Sequence, residues 1–172
     1  RNNWQSHRVE LVVMMAMALD DPDLIAAATR IFRAQVDINI HADGEVLDFA
    51  QRDAMHYVIY DLAPLTRAAL AARAYGEDWY HYEAPDGGSL AKGYAWLRPY
   101  AAGEKPHEEF KNSTVKFDAD RAAAGVTGFS APFDTKKAGE VYWMASTFDP
   151  SYRALAEQLQ VKPSIYLVLC GD

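Results

Sequence analysis

Residues 7–25 read HRVELVVMMAMALDDPDLI, and this stretch constrains the fold more than any other. From Val9 to Leu19 the side chains are apolar except for Glu10. A helix built from them has almost no polar face, so it is expected to be buried on most sides. The run is too short to cross a bilayer. Asp20 and Asp21 end it, and Asp21-Pro22-Asp23 starts another helix, with an acid at the cap and proline at the first helical position. Two helices joined by so short a turn form an antiparallel hairpin. The second is predicted from about Pro22 to Asn39, with Leu24, Ala28, Ile31, Phe32 and Val36 as its apolar stripe.

The rest of the chain repeats this theme. His41-Ala-Asp-Gly44 is a turn. A third helix begins near Asp48, is expected to kink or split at Pro64, and ends at Gly76 after the alanine-rich 68–74 segment. Ser89 begins a fourth through about Tyr100. Residues 103–133, rich in Gly, Pro, Asn and Ser, read as a long irregular loop with a helical turn at 118–124; loops of this length are often functional. Asp134–Phe148 and Pro150–Gln160 are two last helices, and SIYLVL at 164–169 reads as a short strand or a helix end. With no alternating strand pattern before residue 160, the fold class is all-α, built of antiparallel helical hairpins. No internal repeat indicates a regular solenoid.

The 172 residues suffice for one domain with a core. Half are hydrophobic, which excludes a disordered chain. A formal charge of −7 without any basic tract argues against nucleic acid as a partner, yet leaves room for an anionic substrate in a local cationic cleft. One cysteine, Cys170, excludes an internal disulfide framework. His41, His81 and His107 lack metal-ligand spacing and read as surface histidines.

RDAMHYVIYD at 52–61 carries the chemistry. On one wheel, at about 100° per residue, Ala54, Met55, Val58, Ile59 and Leu62 share a side, and Arg52, Asp53, His56, Tyr57 and Tyr60 share the other. That polar face bears titratable groups in place of the Lys/Glu mixture of a solvated helix. The Trp79-Tyr80-His81-Tyr82 cluster either stacks on sugar rings or packs one hairpin on its neighbour.

Two motifs carry a family resemblance. Asn2-Asn3-Trp4-Gln5-Ser6-His7-Arg8 opens the buried helix. Downstream comes Asp48-Phe49-x-x-Arg52-Asp53-Ala54-Met55-His56-Tyr57-x-x-Tyr60-Asp61-Leu62-x-Pro64-Leu65. Together they resemble the alginate lyase family, which pairs Asn-Asn-His with an Arg…Tyr-His-x-Tyr-x-Leu-x-Pro-Leu helix. The resemblance implies an (α/α) toroid of which residues 1–172 are the later part, with further hairpins upstream. It also implies β-elimination on an anionic, uronic-acid polysaccharide of alginate or glucuronan type, without metal or cofactor, in a secreted or periplasmic bacterial protein. Trp4 stands where the family motif has its histidine, so His7, one turn later, takes that place. Val58 stands where the family has a histidine after its tyrosine.

The chemistry suits these residues. β-Elimination removes the C5 proton of a uronate and expels the 4-linked sugar, so the carboxylate beside C5 must be neutralised as the enolate develops. Asn3 and His7 are the expected donors. A tyrosine beside a cation serves as acid or base, because the cation lowers its pKa. Tyr57 with Arg52 is the expected pair, and Asn2, Trp4, Arg8, His56 and Tyr60 are expected to bind substrate. The family pattern superposes on Tyr57, whereas Tyr60 lies nearer Arg52 on the wheel. Asn2, Asn3 and Ser6 also fit simple helix caps. The alternative classes are an (α/α) glycoside hydrolase, which needs opposed carboxylates from Asp48, Asp53 or Asp61 and a partner elsewhere, and a non-catalytic helical carbohydrate-binding module.

Overall fold

A computed structural model describes residues 1–167. The fold is all-α. Its helices are α1 (Asn3–Leu19), α2 (Pro22–Asn39), α3 (Leu47–Arg52), α4 (Met55–Arg73), α5 (Leu90–Ala101), α6 (Lys116–Ala123), α7 (Gly139–Ala145) and α8 (Arg153–Leu159). Single 3₁₀ turns lead into α7 and α8. Among the described residues the only β pairing is two isolated bridges, Ile40–Val46 and Glu108–Pro132. None of the described helices is long and apolar enough to cross a membrane.

The first hairpin forms as the punctuation at 20–23 predicts. The Asp21 carboxylate accepts the N–H groups of Asp23 and Leu24, and Pro22 occupies the first turn of α2. The expectation that α1 is buried on most sides is corrected. Val9, Val13, Ala16 and Met17 are buried against α2 and α4, but Trp4, Leu11, Met15 and Leu19 face solvent. Leu24 and Ile31, assigned to the stripe of α2, are exposed as well. Apolar composition says what a helix tolerates on each side; the number of neighbours decides what is covered.

The single helix expected from Asp48 is in fact two. Asp53 adopts a left-handed conformation at φ +50 and ends α3, and Ala54 is extended. The α4 start has no local side-chain cap; Glu109 supplies one from the 103–133 segment, accepting the Met55 and His56 N–H groups at 2.7 and 3.1 Å. A cap from 53 residues away leaves no local trace in the sequence. Pro64, by contrast, splits nothing: α4 runs through it to Arg73. The proline costs a helix interior about 3 kcal/mol. Burial of Val58, Leu62, Leu65, Ala68 and Ala69 against α1, α5 and α7 offsets that. Gly76, at φ +78, then closes α4 with its own N–H bonded to Arg73 and that of Glu77 to Ala72.

Around α4 the core is aromatic. Trp79 lies against Phe32 at 4.6 Å and Tyr80 stacks on Phe148 at 4.7 Å, so these two rings pack hairpins together. The 164–169 segment and Cys170 run beyond the described residues.

One turn residue joins this core directly. Gly44 has φ +93, and a Cβ there would come within 2.2 Å of the Lys92 carbonyl oxygen of α5. Gly44→Ala is therefore expected to destabilise the fold by about 1–3 kcal/mol or more, from backbone strain and overpacking together. Chemical denaturation will read this, and an unchanged midpoint would show that the turn can move off α5.

Candidate active site

The polar face of α4 forms the floor of a groove, and the 103–133 segment closes one side of it. Tyr57 and His56 line a cavity of about 260 Å³ with Glu109, Phe110, Asp118, Arg121 and Lys137. One turn along α4, Tyr60 lines a second of about 340 Å³ with His7, Arg67, Lys137 and Glu140. Lys137 borders both. A row of rings connects them: His7 to Tyr60 at 4.9 Å, Tyr60 to His56 at 5.4 Å, His56 to Tyr57 at 5.3 Å and Tyr57 to Phe110 at 6.0 Å.

The helix break resets the geometry of Arg52. Because Arg52 ends α3 and does not share the helix of Tyr60, it meets Tyr57, its guanidinium lying over that ring at 4.2 Å. Its charge is already committed. The Nε donates to Asp118 Oδ2 at 2.9 Å and the Nη2 also bonds that carboxylate, which further accepts the Ser113 hydroxyl. Asp118 is buried, yet these bonds outweigh the burial and hold its pKa below the ordinary carboxylate value.

The expectation that a cation brings the Tyr57 pKa down is corrected. Burial raises it, and the opposing pull of Arg52 does not win, since Asp118 and Asp48 act against it. Tyr57 is thus held as a phenol. His56 moves the other way, lowered by burial and then by Lys137 and Arg52. The groove holds a neutral imidazole beside a neutral phenol.

At the other end, His7 is half-buried. Its Nδ1 lies 3.6 Å from Glu10 Oε2, and its Nε2 has no hydrogen-bond partner among the described residues. It adjoins Tyr60 and lines the second cavity, not the Tyr57 cavity. Asn3 is buried, and its backbone N–H donates to Asp48 Oδ2 at 2.8 Å. Asn2 is exposed at the N-cap of α1 without a side-chain cap bond. Ser6 is no cap: it sits inside α1 and donates to Asp61 Oδ1 at 2.8 Å. Trp4 and Arg8 lie on the solvent face of α1, outside both cavities.

Sequence reasoning missed several residues here. Lys137 is exposed and joins no ion pair among the described residues; nothing in KKAGE marks it from Lys136. Arg121 reaches the Tyr57 cavity with its guanidinium over Phe117. Glu109 is buried with a raised pKa, chiefly from burial. His107, expected at the surface, is instead half-buried, its Nε2 3.0 Å from the Asp53 carbonyl and its ring 5.5 Å from Phe49. Only the Gly/Pro-rich length of 103–133 hinted that this segment would matter. Among the described residues no three His, Cys, Asp or Glu side chains form a group that could hold a metal ion.

Compared with known proteins, the chain matches no curated protein and no solved structure. A protein-family model does match: that of the alginate lyases, over residues 1–107, which spans α1 to α5 and both motifs. The chain belongs to the alginate lyase family.

Proposed function

We propose that the chain cleaves a uronic-acid polysaccharide of alginate or glucuronan type by β-elimination, within an (α/α) toroid of which these hairpins are part. The observation that carries this reading is the meeting of His56, Tyr57 and Lys137 on one cavity in a chain of the alginate lyase family, with the His56 ring 5.3 Å from that of Tyr57. Elimination needs a proton taken from C5 and one given to the departing oxygen. His56 is suited to the first task and Tyr57 to the second. The uronate carboxylate must be neutralised meanwhile. Lys137 borders both cavities without an ion-pair partner among the described residues, and His7, which lines the second cavity, reinforces it, while Asn3 is buried and lines neither cavity. Arg52, already paired with Asp118, positions the Tyr57 ring from below. The row of rings offers faces on which successive sugars stack.

The carboxylates argue against hydrolysis. Asp48 and Asp61 are buried, and Asp53 accepts from the backbone and side chain of Asn112. Within the Tyr57 cavity, Glu109 caps α4, Asp118 holds Arg52 and Asp134 accepts the Lys136 N–H. A hydrolase would require two opposed carboxyls facing the sugar. Because polysaccharides do not cross membranes unaided, the proposal extends to a secreted or periplasmic site of action.

Lys137→Met tests the arrangement of charge. Removing the ammonium relieves its pressure on His56, whose pKa should rise toward 6.5. The acid limb of kcat/KM should therefore move to higher pH, and KM for a uronate polymer should rise. Release of unsaturated product, followed by ultraviolet absorbance across pH, measures both. An unmoved acid limb would remove His56 or Lys137 from the scheme.

A further inference from the structure

Beneath the groove, four helices meet at one buried polar point. Asp61 of α4 is fully buried. Its Oδ1 accepts the Ser6 hydroxyl of α1 at 2.8 Å and the Asn39 amide of α2 at 2.9 Å. Gln35 of α2 in turn donates to Ser6 Oγ at 3.0 Å. Asp61 Oδ2 meets no such donor among the described residues. One turn before Ser6 on α1, the Asn3 N–H donates to Oδ2 of Asp48 on α3, itself buried, so the two carboxyls are held on adjacent turns of one helix. Asp48 is the charge that acts on Asp61. Two carboxyls buried side by side favour a proton on one of them over two adjacent charges.

We propose that Asp48 and Asp61 are positioning residues that share one proton as a clamp, holding the start of α1, with Asn3 and His7, in register with Arg52 of α3 and Tyr57 of α4. The sequence separations make the clamp direct. Asp48 lies one turn before Arg52, Asp61 one turn after Tyr57, and Ser6 next to His7. Asp61 donates the proton toward Asp48, whose carboxyl accepts the Asn3 N–H at the N-terminus of α1. The groups facing Asp61 are Ser6 and Asn39, both neutral, and Asp48. Loss of the proton sets two buried charges against each other at the joint between the two halves of the groove. The proposal rests, for its catalytic part, on the eliminating activity proposed above.

The sign of the pH dependence follows from the geometry. Burial, then the bond and charge of Asp48, push the Asp61 pKa up from 3.8 to about 8. A group raised in the folded state contributes stability that is full below its unfolded pKa and lost as pH rises through its folded pKa. Stability from the clamp therefore declines as pH climbs toward about 8 and is gone above it.

Asp61→Asn imitates the protonated acid: its amide N–H donates to Asp48, and its oxygen still accepts from Ser6 and Asn39. The test compares this variant with the wild type from about pH 5 to about pH 9 by thermal melting and by kcat/KM on alginate and glucuronan. The wild-type Tm should fall relative to the variant by about 5 °C or more as pH rises across this range. Wild-type kcat/KM should decline through about pH 8, while the variant keeps its activity there. Asp48→Asn, which leaves Asp61 an amide donor and no opposing charge, should flatten both profiles in the same way. Should Asp61→Asn fold poorly, this second variant decides the matter. Parallel melting profiles in wild type and both variants would overturn the clamp. Divergent melting with identical alkaline limbs of kcat/KM would overturn its positioning role. A wild type that melts as expected but never releases unsaturated product would overturn the functional reading while supporting the clamp.

Discussion

Tyr57→Phe is expected to abolish elimination, with kcat/KM reduced by at least about 10²–10⁴-fold, the usual contribution of a general acid. The substitution removes one oxygen and keeps the ring, so its edge contact with Phe110 and its face toward Arg52 should persist. The Tm should hardly move. Tyr60→Phe should reduce activity only in part, because Tyr60 is half-exposed and serves the second cavity beside His7. Product release on a uronate polymer, measured alongside melting curves, distinguishes the two. If Tyr57→Phe kept most of its activity and Tyr60→Phe lost it, the acid would sit one turn further along α4, on the His7 side of the groove. That outcome is sterically coherent, since the ring row places His56 between the two tyrosines.

Arg52→Ala should produce the largest loss of stability among the site variants. Its guanidinium is the partner of Asp118, whose side chain is only 2% exposed. Removing one member of a buried ion pair typically costs about 3–5 kcal/mol, because the other charge is left desolvated and unpaired. The pair also ties the end of α3 to α6, and so fixes the segment that walls the Tyr57 cavity. Activity should fall with stability, as the cation beneath the Tyr57 ring is lost. A double variant separates the two effects. Arg52→Met with Asp118→Leu replaces the pair by apolar groups of similar size and should recover most of the stability. It should not recover activity, since neither side chain can orient Tyr57 as the guanidinium does. Urea denaturation and turnover on the same preparations test this; recovery of both together would reduce Arg52 to a structural tie.

A consequence follows for the pair of tyrosines. On a single continuous helix, Arg52 favours Tyr60, being nearer on the wheel. The break at Asp53-Ala54 turns the arginine onto Tyr57 instead, in agreement with the superposed family pattern. The break falls at left-handed Asp53 and is held by Glu109, which caps Met55 and His56, and by the Phe110 N–H on the Asp53 carbonyl, both residues beyond the 1–107 stretch that matches the family. The wall of the groove thus comes from a part of the chain in which neither motif lies.

Features written over a few neighbouring residues were legible directly. The Asp21-Pro22 cap, the Ser89 cap, the Gly76 stop and the buried side of 54–62 each depend on local hydrogen bonding or helical period, and each is found. The two motifs likewise identified the family, because they are short and ordered. Other properties arise from pairs of residues far apart and leave no local pattern. The cap from Glu109 restarts the helix after left-handed Asp53, and packing against α1, α5 and α7 carries α4 through Pro64. Burial, which depends on neighbours supplied by the whole fold, raises Tyr57 where an adjacent arginine promised to lower it. It also converts Asp48 and Asp61, unremarkable acids thirteen residues apart, into a pair that favours one proton over two adjacent charges. Local sequence sets which bonds a backbone makes with itself, whereas desolvation and long-range pairing exist only once the helices have met.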